Sequence, residues 1–281
     1  WDVIATGGIT TTYAYVKKIV QYAKQYSPNA LTVVGGGLLT SMPRDIMGLV
    51  PEIDLGIVGE AYMTFPNLLN KIDQRDKDWS SLLGVTYRDS ADHVRLTPPQ
   101  PLLEDIDTLP YPAWDMFPLD IYWKNSQMLY SEEAFTAKRR LDINASYGCS
   151  LICRFCFHLG ITGDLKYEEG PHGGDVTFSY DRNIRWHSPR YIVDMVKHAR
   201  DAYGTDFVLF LDENMMTMNA YSGWTWLPEI CDLWIKEGLQ PQCRVEGKTH
   251  NRRNCKYGVH WGGTSHATLI KPELLDKLYD A

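Results

Sequence analysis

Leu141-Asp-Ile-Asn-Ala145-Ser-Tyr-Gly-Cys149-Ser-Leu-Ile-Cys153-Arg-Phe-Cys156 runs from a short strand directly into a cysteine loop. The three cysteines stand at C-x3-C-x2-C spacing, and each can give one thiolate to a [4Fe–4S] cluster, which leaves one iron without a protein ligand. A four-cysteine set closes its cluster and makes an electron carrier. A three-cysteine set keeps a position where a small molecule can bind. The same residues also admit three buried thiols or a partial zinc site. Structural zinc sites usually pair two C-x2-C units or add a His at matched spacing, and neither pattern is present.

Downstream, residues 163–184 are polar and Gly-rich and read as an insertion, with Asp175, Tyr180 and Asp181 in it. Ser188-Pro189 predicts a helix start, Ser as N-cap and Pro at N1, with Ile192, Met195, Val196 and Ala199 on its buried face. Phe207-Val-Leu-Phe-Leu211 is a second strand, ending at Asp212-Glu213-Asn214. A further helix carries Leu227, Ile230, Leu233 and Trp234 and stops at Gly238. Cys231 lies on its apolar face and reads as a core thiol. A third strand is expected around Cys243-Arg-Val-Glu246, with Cys243 and Cys255 free. His250 to His266, rich in Arg, Lys, His and Trp, reads as a solvated loop, with an anionic-substrate site as the alternative, and Pro272 begins the next helix. These are the opening units of a β/α barrel.

Upstream, residues 1–75 alternate strand and helix. Asp2–Thr6 is a strand, and the following helix has Tyr15, Ile19, Tyr22 and Tyr26 three or four apart, the spacing of one helix face. Leu31–Val34 leads into Gly35-Gly36-Gly37, and Ile53–Val58 into Gly59-Glu60. Short strands with intervening helices imply a parallel, doubly wound α/β sheet, where ligands lie over the carboxyl ends of the strands. Residues 79–98 read as a hairpin. Six prolines between 98 and 120 mark an extended connector. The expected divisions are 1–78, 79–138 and 139–281.

The chain has 281 residues, 44% hydrophobic and 22% charged, as expected of a soluble globular protein. The net charge of −7 gives no support to nucleic-acid binding. No apolar run approaches the ~20 residues of a membrane span. Six cysteines, three of them in one motif, point to a reducing, cytoplasmic compartment rather than a disulfide scaffold. The chain opens at Trp1 inside a strand and closes at Ala281 inside a helix, so it reads as part of a longer polypeptide.

The cysteine spacing, with an aromatic residue before the third cysteine, resembles the radical S-adenosylmethionine (SAM) superfamily. The resemblance implies that Cys149, Cys153 and Cys156 hold the cluster and that the open iron chelates SAM, which is cleaved reductively to a 5′-deoxyadenosyl radical. It also implies that Phe155 packs near the adenine. Phe210-Leu-Asp-Glu213 resembles the F-x-D-[DE] strand end of the cobalamin-linked subgroup. On that likeness Asp212, Glu213 and Asn214 supply acceptors for the SAM ammonium group, with helix N-capping as the competing reading. Arg244 is a candidate for the carboxylate of SAM or of a substrate acid, or else an ion-pair residue. His158 reads as a packed or solvent-facing His, with a proton shuttle or a contact to the cobalamin face as the alternatives.

The segment V-V-G-G-G with the later V-G-E resembles the second half of a cobalamin-binding domain. It implies a Rossmann-like, flavodoxin-like fold in which Thr6, Gly7, Gly35, Gly36, Gly37, Gly59 and Glu60 line the cofactor. The D-x-H-x-x-G motif of some cobalamin proteins is absent from the sequence. Both resemblances together imply three cofactors: a [4Fe–4S] cluster, SAM and cobalamin. The implied partners are a small-molecule or peptide substrate and a reductant such as flavodoxin or ferredoxin. Two reaction types are implied, namely methyl transfer to an unactivated carbon or an oxidative cyclisation like that of the anaerobic magnesium-protoporphyrin ester cyclase. An iron–sulfur electron-transfer or redox-sensing protein is the reading from another class.

Overall fold

The structure, a computed structural model, describes residues 1–126, 137–151, 153, 156, 165–170, 174–178, 183–241 and 258–281. The chain divides into two compact units: residues 1–103 with 152–183, and residues 104–151 with 184–281.

The first unit is built on a five-stranded sheet of order β1-β2-β3-β4-β5. Its strands are β1 (Val3–Gly7), β2 (Leu31–Gly35), β3 (Leu55–Ile57), β4 (Val85–Arg88) and β5 (Val94–Leu96). β1, β2 and β3 are parallel, and the β4–β5 hairpin continues the sheet antiparallel from β3. Residues 79–98, expected beside the connector, therefore complete this sheet. The helices are α1 (Tyr13–Tyr26), α2 (Gly36–Ser41), α3 (Pro43–Leu49) and α4 (Ala61–Asp73).

Strand alternation divides the core in two. Val34 joins Val16, Val20, Leu38 and Met47 in one cluster, while its neighbour Val33 joins Leu55, Leu68 and Val85 in the other. The sheet is thus covered on both faces, as parallel strands require. α1 turns a different face inward from the aromatic stripe. Val16, Val20 and Ala23 are buried, whereas Tyr15, Ile19, Tyr22 and Tyr26 are exposed. Both sets satisfy a helical period, and the smaller residues are the ones packed in the core.

The insertion after the cysteine loop forms a hairpin of β8 (Leu165–Glu168) and β9 (Asp175–Phe178), numbering β6 and β7 in the next unit ahead of them in the chain. Leu165 and Val176 pack on the Val34 cluster of the first unit.

In the second unit, β6 (Arg140–Ile143), β11 (Phe207–Phe210) and β12 (His260–Gly263) form a parallel sheet of order β12-β11-β6. β7 (Ser146–Tyr147) pairs antiparallel with β10 (Arg185–Trp186). The third parallel strand lies at 260–263, within a stretch expected to be loop. The strand expected at Cys243–Glu246 lies outside the described residues. The helices are α5 (Leu119–Ser126), α6 (Pro189–Tyr203), α7 (Met215–Tyr221), α8 (Trp226–Lys236) and α9 (Pro272–Asp280).

Ser188 caps α6 as expected, its side chain accepting from Tyr191 N at 3.2 Å, and Ile192, Met195, Val196 and Ala199 are buried. Gly204 ends that helix with φ +69, a conformation costly for any residue with a Cβ. Trp226, Leu227, Ile230, Cys231 and Trp234 of α8 complete the core. The connector is fastened to α6. Asp107 accepts from His187 Nδ1 at 2.9 Å and Ser188 N at 3.0 Å, and Tyr191 Oη donates to Leu109 O at 2.9 Å. Burial holds His187 below the usual histidine range, which favours the neutral ring donating Nδ1–H. Trp114 is buried in the same core.

Candidate functional site

The carboxyl ends of β1, β2 and β3 gather Thr6, Gly7, Gly35, Gly36, Gly37, Gly59 and Glu60 in the first unit. Register places Thr6 opposite Val34 and Gly7 opposite Gly35. A Cβ on Gly7 would sit 3.1 Å from Gly35 O. Gly36 has φ +81, and its Cβ would meet Gly8 O at 2.9 Å and Gly8 N at 3.0 Å. Leu38 N donates to Gly8 O at 2.9 Å. The turns after β1 and β2 therefore touch backbone to backbone, so these glycines are demanded by one another.

Gly59 is different. Its φ is +84, and among the described residues the sole neighbour a Cβ would meet is Leu165 Cδ1, at 3.2 Å. Its N–H donates to Thr40 Oγ1 at 3.1 Å. Glu60 is the half-buried residue preceding α4. The strand ends thus present bare backbone at Gly7, Gly35 and Gly59. A long, narrow group approaches such a surface more closely than it would one with side chains, so the residues present suit the tail of a cobalamin.

In the second unit the ends of β6, β11 and β12 are stitched together. Asp212 Oδ2 accepts from Ala145 N at 3.2 Å, and Oδ1 accepts from Ser146 Oγ. Thr264 Oγ1 donates to Asp212 O at 2.9 Å, and Met215 N to Thr264 O at 3.1 Å. Asn214 Oδ1 accepts from Ser265 Oγ at 2.9 Å and His266 N at 3.2 Å. Asp212 is 2% exposed, and burial pushes its carboxyl up to about 6, against the hydrogen bonds that favour the ionised form.

Of the three residues read as ammonium acceptors, Asp212 and Asn214 have their oxygens committed to neighbouring strand ends. The buried Asn214 Nδ2 is a donor without a partner among the described residues. Glu213 is half-buried between them. No side-chain cap bond forms at Asn214, the residue preceding α7.

The cysteine loop leaves this layer through Gly148, which has φ +90. Ser150 Oγ and Thr217 Oγ1 lie 3.0 Å apart, which ties the residue after Cys149 to the fully buried Thr217 of α7. Ser146 and Thr217 carry no signal in the sequence, because a lone hydroxyl beside a strand or in a short helix belongs to no motif. Cys149 lies in the second unit, and Cys153 and Cys156 are grouped with the first. All three are half-buried, and Cys156 N donates to Cys153 O at 3.0 Å.

Three thiols suit a cluster by chemistry. Among the described residues, no group of three His, Cys, Asp or Glu side chains already converges on one metal position. Phe155, Arg244, His158, Cys243 and Cys255 lie outside the described residues. Cys231 is fully buried, as the core-thiol reading expects, and burial pushes its thiol up to about 12. No helix among the described residues is long and apolar enough to cross a membrane.

Residues 1–69 match the B12 binding domain family. An uncharacterized methyltransferase of Pyrococcus horikoshii is 24% identical over 218 residues, covering 78% of this chain and 40% of that protein. The anaerobic magnesium-protoporphyrin IX monomethyl ester cyclase of Cereibacter sphaeroides is 25% identical over 272 residues, covering 96% of this chain and 36% of that protein. The chain therefore spans about two-fifths or less of the length of these relatives.

Among solved structures, the cobalamin-dependent SAM radical enzyme OxsB with aqua-cobalamin and SAM bound aligns with TM-score 0.58 and 16% identity, over 84% of this chain and 29% of that one. The radical SAM methyltransferase TsrM from Kitasatospora setae, with cobalamin and a [4Fe–4S] cluster bound, aligns with TM-score 0.51 and 15% identity, over 84% and 40%. These likenesses show a shared α/β fold, as the sequence patterns implied.

Proposed function

We propose that the chain is the cobalamin-binding and SAM-cleaving portion of a cobalamin-dependent radical SAM enzyme that transfers a methyl group to an unactivated carbon. One observation carries the reading. A unit whose first 69 residues match the B12 binding domain is followed in the same chain by a three-cysteine loop at the carboxyl end of a parallel β/α strand. That pairing of parts agrees with the two aligned structures, one bound to cobalamin with SAM and the other to cobalamin with a [4Fe–4S] cluster.

The roles of the residues follow from their chemistry. Cys149, Cys153 and Cys156 give thiolates to the cluster, which supplies the electron for SAM cleavage. The backbone at Gly35 and Gly59 accommodates the tail of cobalamin, which supplies a methyl carrier. Glu213 accepts from the SAM ammonium group, and Asp212 and Asn214 hold the strand ends on which it stands. Phe155 and Arg244 keep their proposed contacts to the adenine and a carboxylate. The protein supplies position and exclusion of water, while the cofactors carry the hard chemistry. A reductant such as flavodoxin or ferredoxin delivers the electron, and the substrate is a small molecule or peptide handled in a reducing cytoplasm.

Oxidative cyclisation is the second reading. It is favoured by the alignment to the Cereibacter sphaeroides cyclase over 96% of this chain. The test is anaerobic reconstitution with iron, sulfide, hydroxocobalamin and SAM, followed by assay of 5′-deoxyadenosine and bound cobalamin. Both are expected in the protein, and Cys153→Ala should lose the cluster chromophore and 5′-deoxyadenosine together. SAM cleavage that survives in Cys153→Ala would refute the cluster assignment.

A further inference from the structure

The hairpin β8–β9 follows the cysteine loop in the chain, with Leu165 nine positions after Cys156. It nevertheless belongs to the first unit. Four contacts fasten it there. Leu165 and Val176 pack on the Val34 cluster. Tyr167 Oη donates to Leu96 O at 3.3 Å. Arg44 of α3 spans sheet and hairpin, donating from Nη1 to Val94 O at 2.8 Å and from Nη2 to Gly174 O. Gly174 is fitted to the Tyr167 ring, because a Cβ there would land 1.9 Å from Tyr167 Cε2.

The position of Leu165 gives this docking a consequence. Its Cδ1 fills the space beside Gly59, where a Cβ would meet a side chain from the hairpin rather than, as at Gly7 and Gly36, a neighbouring backbone. An isobutyl group there makes an apolar wall next to bare backbone. Such a wall suits the flat, apolar part of a nucleotide tail, which gains contact area without competing for hydrogen bonds.

We infer that Leu165 and the hairpin that carries it form a wall of the cobalamin site. Cofactor binding and hairpin docking then stabilise one another. The inference rests on the proposed cobalamin function. Its basis is reciprocal: if a docked hairpin improves the site, an occupied site must equally favour the docked hairpin.

Two measurements test it. The first is hydrogen exchange of the protein with and without hydroxocobalamin. Exchange at residues 165–168 and 174–178 should slow on binding. The second is cobalamin affinity by absorbance titration of Leu165→Ala and Arg44→Gln. The first variant removes the wall, and the second removes the Arg44 bond to Gly174 O while leaving Gly59 and Leu165 in place. Loss of half-buried Leu165 contacts should weaken affinity roughly fivefold, and Arg44→Gln should weaken it in the same direction. If wild type binds cobalamin while the hairpin's exchange is unchanged and both variants bind as tightly, this inference fails and the cobalamin reading stands. If wild type binds no cobalamin, both fail.

Discussion

Asp212→Asn tests the stitched strand ends of the second unit. Asp212 is 2% exposed, and burial raises its carboxyl from an ordinary 3.8 to about 6. A carboxyl raised on folding stabilises the fold while it is protonated. That contribution is fully present below the unfolded value of 3.8 and is lost as pH rises through about 6. Every tenfold change in proton affinity is worth ~1.4 kcal/mol, so the ionised form costs about 3 kcal/mol of stability at neutral pH relative to acid.

Asparagine stays neutral throughout. Its Oδ1 can still accept from Ala145 N, and its Nδ2 can donate to Ser146 Oγ, whose hydroxyl turns to accept. The stability difference between Asp212→Asn and wild type should therefore move toward the variant by about 2.5 kcal/mol between about pH 4 and pH 7.5. Carboxylates held below their usual range, such as Asp89, slope the other way but are shared by both proteins and cancel. Urea unfolding at several pH values, followed by the fluorescence of buried Trp226 and Trp234, measures the difference. A difference that stays flat between these pH values would refute the buried, raised carboxyl.

Three other outcomes follow from geometry. Gly36→Ala should cost at least ~2 kcal/mol, since it adds a Cβ at φ +81 against Gly8 backbone, while Gly59→Ala should cost about 1 kcal/mol because Leu165 is flexible; thermal denaturation ranks them. Ser188→Ala should lower stability by about 1 kcal/mol through loss of the α6 cap, and Ser188→Thr should recover most of it, as read by urea unfolding. In α1, Val20→Ala should cost about 2 kcal/mol, whereas Tyr15→Ser should stay within ~0.5 kcal/mol, and the reverse order in the same assay would refute the inward face of α1.

Local rules account for the features that were legible in the sequence. Ser188-Pro189 carries its own start signal, and Gly238 marks a helix end with φ +68. Glycines after Val34 and Val58 flagged the strand ends, although at Gly36 the immediate need is room for Gly8 rather than for a ligand. The less legible features depended on distant partners. α1 has two stripes of helical period, and packing against the sheet chose the aliphatic one. β12 contains His260, Trp261 and two glycines, a poor strand by propensity, and is held by pairing with β11. The hairpin alternates polar and apolar residues like many exposed hairpins, and nothing local says that it belongs with residues 1–103. Asp212 was visible as an acidic strand end, but its burial and its partners Ala145 and Ser146 come from a strand sixty-odd positions earlier.

The strand ends of the second unit divide their labour. An ammonium ligand is best served by a carboxylate that is ionised at working pH and has an oxygen to spare. Asp212 fails the second condition: its carboxyl, raised to about 6, is ionised at neutral pH only at a cost in stability, and both oxygens already serve Ala145 and Ser146. Asn214 spends its oxygen on the segment after β12. The two residues flanking Glu213 therefore act as struts that bind three strand ends into one layer. Glu213 and the cysteine loop leaving at Gly148 both stand on that layer. A residue that fixes the layer is as necessary to the proposed chemistry as one that touches SAM, but it acts through geometry. Asp212→Asn, which keeps both hydrogen bonds and removes the charge, separates the two roles: a strut tolerates the change, whereas an ammonium ligand does not.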